Sequence, residues 1–138
     1  MNHDHEDDDF LRSLKAEPRR IYIDIDSTIC TQTHPYHHER AQPLVDRIEM
    51  ANKLYDQGHH IVYWTARGSR TGIDWYKLTK KQLEEWGVKH HELKMGKPAF
   101  DILIDDRAIN SLYDWTEESV NKVIYREHPT PQPKHVTQ

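Results

Sequence analysis

An α/β fold is what the sequence predicts: a three-layer, Rossmann-like parallel sheet flanked by helices. Three observations lead there. Short apolar runs alternate with segments of helical periodicity, the pattern of strands joined by crossover helices. Glycines stop the two clearest helices, at Gly58 and Gly87. The chemically reactive residues fall just past the apolar runs, where parallel sheets bind ligands.

Arg20–Asp26 reads as the first strand, with Ile21, Ile23 and Ile25 on one face and Tyr22, Asp24 and Asp26 on the other. Pro43–Gln57 reads as a helix, because Leu44, Ile48, Ala51 and Leu54 recur at helical spacing. His60–Thr65 is the second strand. Asp74–Trp86 is the second helix, with Trp75, Leu78, Leu83 and Trp86 for its core side. A short strand is expected around Glu92–Lys94, and a buried strand over AFDILIDD, residues 99–106. A short helix over Ala108–Trp115 and a last strand over Val120–Tyr125 complete the reading. The expected organisation is an acidic, histidine-containing arm over 1–18, one domain over 19–127, and a proline-rich tail over 128–138.

With 138 residues, 36% hydrophobic and 30% charged, one core is expected. A net charge of −4 leaves no basic face for duplex nucleic acid. Cys30 is the single cysteine, so no internal disulfide forms, in keeping with a reducing, cytoplasmic compartment. No apolar run approaches the roughly 18 residues of a membrane span.

Asp24 and Asp26 share a face, and two carboxylates about 4 Å apart repel by roughly 4 kcal/mol at an effective dielectric near 20. A cation is the usual compensation. Four acids (Asp24, Asp26, Asp105 and Asp106), with Thr65 and Lys97, suit a phosphorylated ligand and a divalent metal. Mg²⁺ takes oxygen ligands, often one or two carboxylates plus phosphate. A carboxylate can attack phosphorus, a second can move the proton, and lysine and threonine can hold the phosphoryl oxygens.

Asp24-x-Asp26-x-Thr28, then WTARG, GKP and ILIDDR, in that order, resemble the haloacid dehalogenase superfamily of phosphohydrolases from about residue 20 to 115. Within it the chain looks like the small phosphatases of capsule and sugar-phosphate pathways. Residues 74–88 are also similar to the phosphatase domain of polynucleotide kinases. The resemblance implies Asp24 as nucleophile and Asp26 as general acid/base and, through its carbonyl, metal ligand. It implies Thr65 and Lys97 on the phosphoryl group. Asp24, Asp26 and Asp106 would hold Mg²⁺, with Asp105 as a direct or water-mediated alternative to Asp106. Two departures stand out: Ser27 replaces the commoner glycine, and Asn110 stands where a second acid often sits.

The gaps at which the family inserts a cap, Asp26 to Thr65 and Thr65 to Lys97, are nearly filled by the expected helices. No cap domain fits. An open site takes a large substrate or borrows a neighbouring subunit, so a homo-oligomer is expected, with Trp64, Trp75, Trp86 and Trp115 as anchors or core. Thr28, Ala66, Arg67, His34 and His37 are expected to contact substrate, the histidines from the polar loop 30–43. The expected function is Mg²⁺-dependent hydrolysis of a phosphomonoester on a sugar phosphate or similar small metabolite. A nucleotide or polynucleotide end is the alternative substrate. The alternative of another class is a non-catalytic phosphate- or metal-binding domain of the same fold.

Overall fold

A computed structural model describes residues 17–125 and 131–134. The chain divides into two compact units, Met1–Ile104 and Asp105–Gln138. In the first, β1 (Arg20–Ile23), β2 (His60–Trp64) and β3 (Glu92–Lys94) form a parallel sheet in the order β1-β2-β3. The register places Ile23 beside Tyr63 and Tyr63 beside Leu93. Helix α1 (Val45–Asp56) links β1 to β2, and α2 (Tyr76–Glu85) links β2 to β3. These five elements stand where the sequence places them. β1, β2 and the two helices are a residue or more shorter than their patterns, while β3 keeps the expected span.

The core follows from periodicity. Ile61, Val62 and Tyr63 are fully buried in β2, as a strand flanked on both sides requires. Ile48, Ala51 and Leu54 recur on one face of α1 and are buried with them, together with Ile23, Ile25 and Ile29. Each large aliphatic side chain so buried contributes about 1.5–3 kcal/mol. Gly58, at φ 95°, turns the chain out of α1 in a left-handed conformation that costs glycine nothing. His59 then accepts the Arg19 amide on Nδ1 at 3.0 Å, fixing the entry to β1.

Three expectations are corrected. Residues 99–106 form no strand: Ile102, Leu103 and Ile104 are 74%, 56% and 89% exposed, and no named strand of the sheet includes them. Residues 108–115 turn without completing a helix, with Asn110 accepting the amides of Tyr113 and Asp114 and its side chain that of Leu112. The predicted last strand is instead helix α3 (Glu117–Ile124), in the second unit. A capping box sets its start: the Thr116 side chain accepts from the Ser119 amide, and Ser119 Oγ accepts from the Thr116 amide, each at 3.0 Å. That local signal overrides the strand preference of Val120, Val123 and Ile124. Most of the predicted arm over 1–18 and of the tail over 128–138 lies outside the described residues.

Candidate functional site

Just past β1 the chain breaks into a tight turn. Ser27 adopts φ 65°, a left-handed backbone that costs a residue with a Cβ roughly 1–2 kcal/mol. The turn is held by Ser27 N donating to Cys30 O at 2.9 Å, by Thr28 N and Ile29 N donating to Ile25 O, and by Ser27 Oγ donating to Gln32. Glycine is the cheapest residue at such a φ, which is the physical content of the Ser27 departure. The turn places Asp24 and Asp26 at the carboxyl end of the sheet, in two unlike settings.

Asp24 is partly open, its side chain 37% exposed, and Lys97 Nζ stands 3.2 Å from Oδ1. Burial pushes the Asp24 carboxyl above the ordinary carboxylate range. Lys97 and the Ile25 amide oppose that shift, and Asp26 adds to it. Lys97 is itself positioned from β2: its amide donates to Thr65 O at 3.0 Å, while the Thr65 amide donates to Lys94 O at 3.1 Å. Its ammonium lies over the rings of Trp64 and Phe100, 5.8 and 5.5 Å from their centres. Ser69 Oγ donates to Lys97 O at 2.7 Å and ties down the next loop. Thr65 is buried at the tip of β2, and its Oγ1 accepts the Arg67 amide at 3.1 Å.

Asp26 is held fast. Arg67 grips it with a two-pronged pair, Nε donating to Oδ2 at 3.0 Å and a terminal nitrogen to Oδ1 at 2.9 Å. The Arg67 side chain has no solvent exposure, and its other terminal nitrogen donates to Thr79 and Gln82 of α2. Gln82 in turn donates to His38 O at 2.8 Å. His38 is buried, 4.0 Å from Asp26, and edge-on to Trp75. Burial lowers its pKa, with Asp26 pulling the other way. Cys30 lies against the same pair, and burial pushes its thiol up to about 12. A pocket of about 180 Å³ opens beside this network, lined by Gly68, Ser69, Trp75, Met95 and Gly96 among others.

The structure thus gathers Asp24, Asp26, Thr65 and Lys97 at one end of the sheet. Ala66 is half-buried in the loop past Thr65. Arg67, expected on the substrate, is corrected: its guanidinium is spent on Asp26, Thr79 and Gln82 inside the molecule and presents no face to solvent. Thr28 is buried in the turn after Asp26. His34 and His37 stay on their own loop, His34 accepting the Tyr36 amide and His37 meeting Glu39 at 3.1 Å. The inward histidine of that loop is His38; the residues that sequence reasoning missed are Thr79 and Gln82. Asp105 and Asp106 belong to the second unit, where both are exposed and the Asp105 carboxylate accepts the Asp106 amide at 2.8 Å.

Among the described residues no three His, Cys, Asp or Glu side chains gather as a metal cluster. Asp24 offers one hard oxygen donor. Asp26 has both side-chain oxygens on Arg67, so its own contribution would come through its backbone carbonyl. A magnesium ion, which accepts one or two carboxylates with phosphate and water as the rest, is compatible with this donor set.

No family model matches the chain, and no curated protein matches it. Among solved structures, the chain is similar to the crystal structure of a structural-genomics target from Vibrio cholerae. That likeness has a TM-score of 0.68 at 24% identity, over 80% of this chain and 99% of the other. It shares the fold of that protein. A chain of the Pnkp1/Rnl/Hen1 complex matches 64% of this chain and 31% of its own length at 16% identity and a TM-score of 0.49, too low to carry an argument. No helix of the described residues is long and apolar enough to cross a membrane.

Proposed function

We propose that the protein is a Mg²⁺-dependent phosphomonoester hydrolase of the haloacid dehalogenase type, working through an aspartyl-phosphate on Asp24. The observation that carries the reading is the Asp24–Lys97 pair, 3.2 Å apart at the open end of the sheet beside Thr65. A carboxylate aimed by an ammonium can attack phosphorus, while the same ammonium offsets the charge of the arriving phosphoryl oxygens. Thr65 carries a hydroxyl within the same tip.

In the forward step Asp24 Oδ forms the bond to phosphorus and the ester oxygen leaves with the bonding pair. Water then attacks the acyl phosphate and regenerates Asp24. Asp24 and the Asp26 carbonyl would hold the metal, which supplies charge neutralisation to the phosphate when bound. Asp26 is the candidate for moving the leaving-group proton, and to do so its side chain must turn from Arg67, which occupies both oxygens at rest. The substrate is a small phosphorylated metabolite such as a sugar phosphate.

Release of phosphate from p-nitrophenyl phosphate with Mg²⁺, abolished in Asp24→Asn, tests the reaction. A screen over sugar phosphates, nucleotides and 3′-phosphorylated oligonucleotides tests the substrate. Turnover confined to the oligonucleotides would move the assignment to polynucleotide ends.

A further inference from the structure

A guanidinium carries five N–H donors, and burying it obliges each of them to find an acceptor. Arg67 meets that demand in three directions. Nε and one terminal nitrogen face Asp26. The second N–H of that terminal nitrogen points at the Cys30 sulfur, 3.7 Å away. The other terminal nitrogen faces α2, donating to Thr79 Oγ1 at 3.0 Å and to Gln82 Oε1. The Gln82 amide is held in one orientation. Its nitrogen donates to His38 O at 2.8 Å, which leaves its oxygen for Arg67. That carbonyl is fixed in turn, because the His38 ring is buried, 3.1 Å from Thr33 Oγ1 and edge-on to Trp75.

The pair is lopsided. The Asp26 side chain is 14% exposed, while that of Arg67 has no exposure at all. An ion pair of this kind opens only if one partner stays in place while the other moves. The acceptors on α2 decide which one stays. With them, the guanidinium keeps part of its hydrogen bonding when the carboxylate leaves. Without them, a buried charge would depend on Asp26 for its remaining oxygen acceptors, and leaving it unpaired would be costly. The guanidinium would then follow the carboxylate instead of releasing it.

We propose that Gln82 is a positioning residue for proton transfer: by anchoring Arg67 to α2, it lets Asp26 turn out to the leaving group while the guanidinium stays behind. Gln82 touches no reacting atom and acts through Arg67 and Asp26 alone. The catalytic consequence rests on the phosphatase reading, in which Asp26 moves the leaving-group proton. The anchoring of Arg67 does not.

Two esters of nearly one shape test the proposal. Phenyl phosphate expels a poor leaving group that needs a proton, and p-nitrophenyl phosphate a good one that does not. Both are assayed with Mg²⁺ on one preparation of the full chain, so that partial unfolding of a variant cancels from the ratio of the two kcat values. Gln82→Met, similar in size but without the amide oxygen, is expected to lower kcat for phenyl phosphate roughly tenfold relative to p-nitrophenyl phosphate, part of the about 10²–10⁴ of a general acid, with KM unchanged. Gln82→Glu returns an oxygen acceptor to Arg67 and is expected to recover most of the ratio. Asp26→Asn sets the floor. A wild-type ratio in Gln82→Met where Asp26→Asn lowers it, or a Gln82→Glu ratio as low as that of Gln82→Met, overturns the positioning role. A ratio that Asp26→Asn leaves alone removes Asp26 from the path of the proton and overturns that role as well. Nuclear magnetic resonance of the Arg67 Nε–H needs no activity: in Gln82→Met it is expected to exchange with solvent roughly tenfold faster than in the wild type, the scale of one lost hydrogen bond. Unchanged exchange overturns the anchor. A wild type that hydrolyses neither ester, with exchange quickened in Gln82→Met, overturns the phosphatase reading and leaves Gln82 as the anchor of Arg67.

Discussion

Two acid–base pairs sit at the same end of the sheet and are built in opposite ways. Arg67–Asp26 is sunk in the interior, with the arginine sealed off and both carboxylate oxygens engaged. Lys97–Asp24 is a single contact of 3.2 Å between partly exposed groups. The first has the geometry of a structural clamp: it joins the turn after β1 to α2 through Thr79 and Gln82. The second has the geometry of a working pair, aligned yet still open to an incoming ligand. Like charges two residues apart in sequence are tolerated because each has its own cation.

The sharpest way to break the comparison is at Asp24. Asp24→Asn should lower phosphatase turnover by roughly 10⁴-fold or more, the scale of removing a nucleophile, while leaving the fold intact by circular dichroism. Lys97→Met should follow with a loss of about 10²–10³-fold in kcat and a change in unfolding free energy under about 1 kcal/mol, since the pair is partly solvated. The clamp should behave the other way round. Arg67→Ala strands a shielded carboxylate and should cost about 3–5 kcal/mol in urea unfolding. Arg67→Lys keeps the charge, loses the fork, and should fall between that variant and the wild type. If Arg67→Ala unfolds normally but loses activity, the two pairs have been assigned backwards.

Acidity sharpens the contrast further. Burial raises the Asp24 carboxyl, so its contribution to stability is fully present below the ordinary value of 3.8 and is lost as pH rises through the raised value. Asp24→Asn should therefore be slightly more stable than the wild type near neutrality, the difference vanishing in acid. The effect is small because solvent screens a side chain that is 37% exposed. His38 and His59 have the reverse sign. Both are lowered chiefly by burial, so the stability they confer is present above 6.5 and is lost as pH falls through their depressed values. Thermal melting between pH 8 and pH 3 reads both trends. The smallest expected effect is at Cys30: a buried thiol raised to about 12 should react with a thiol reagent only on unfolding.

How much of this was legible in the sequence depended on whether the decisive forces were local. β1, α1 and β2 announced themselves because apolar period and burial agree there, as at Ile48, Ala51 and Leu54; in α2 the buried face carries Thr79 and Gln82 beside Leu83, and β3 is only half-buried. The meeting of Asp24, Thr65 and Lys97 was legible for the same reason, since strand ends in a parallel sheet converge. The exposed run 102–104 has a strand pattern, yet it joins no named strand of the sheet. Val120–Ile124 misled through β-branched composition, although Thr116 and Ser119 already spelled a helix start. Arg67 misled because an arginine near a site looks like a ligand clamp. The signal against that was Thr79 and Gln82, two polar residues on the otherwise apolar face of α2, which had to be satisfying something buried.

Gly68 draws a boundary around what could ever be altered here. It sits at φ 84°, and a methyl group on it would collide with the Ile73 carbonyl, so the hairpin-tight bend behind Arg67 admits no side chain of any size. That half of the rim is closed to redesign. If the site hydrolyses a phosphomonoester as proposed, a change of preference among leaving groups would have to be written elsewhere, for example into the stretch from Thr31 to Gln42, where His34, Tyr36 and Glu39 are exposed.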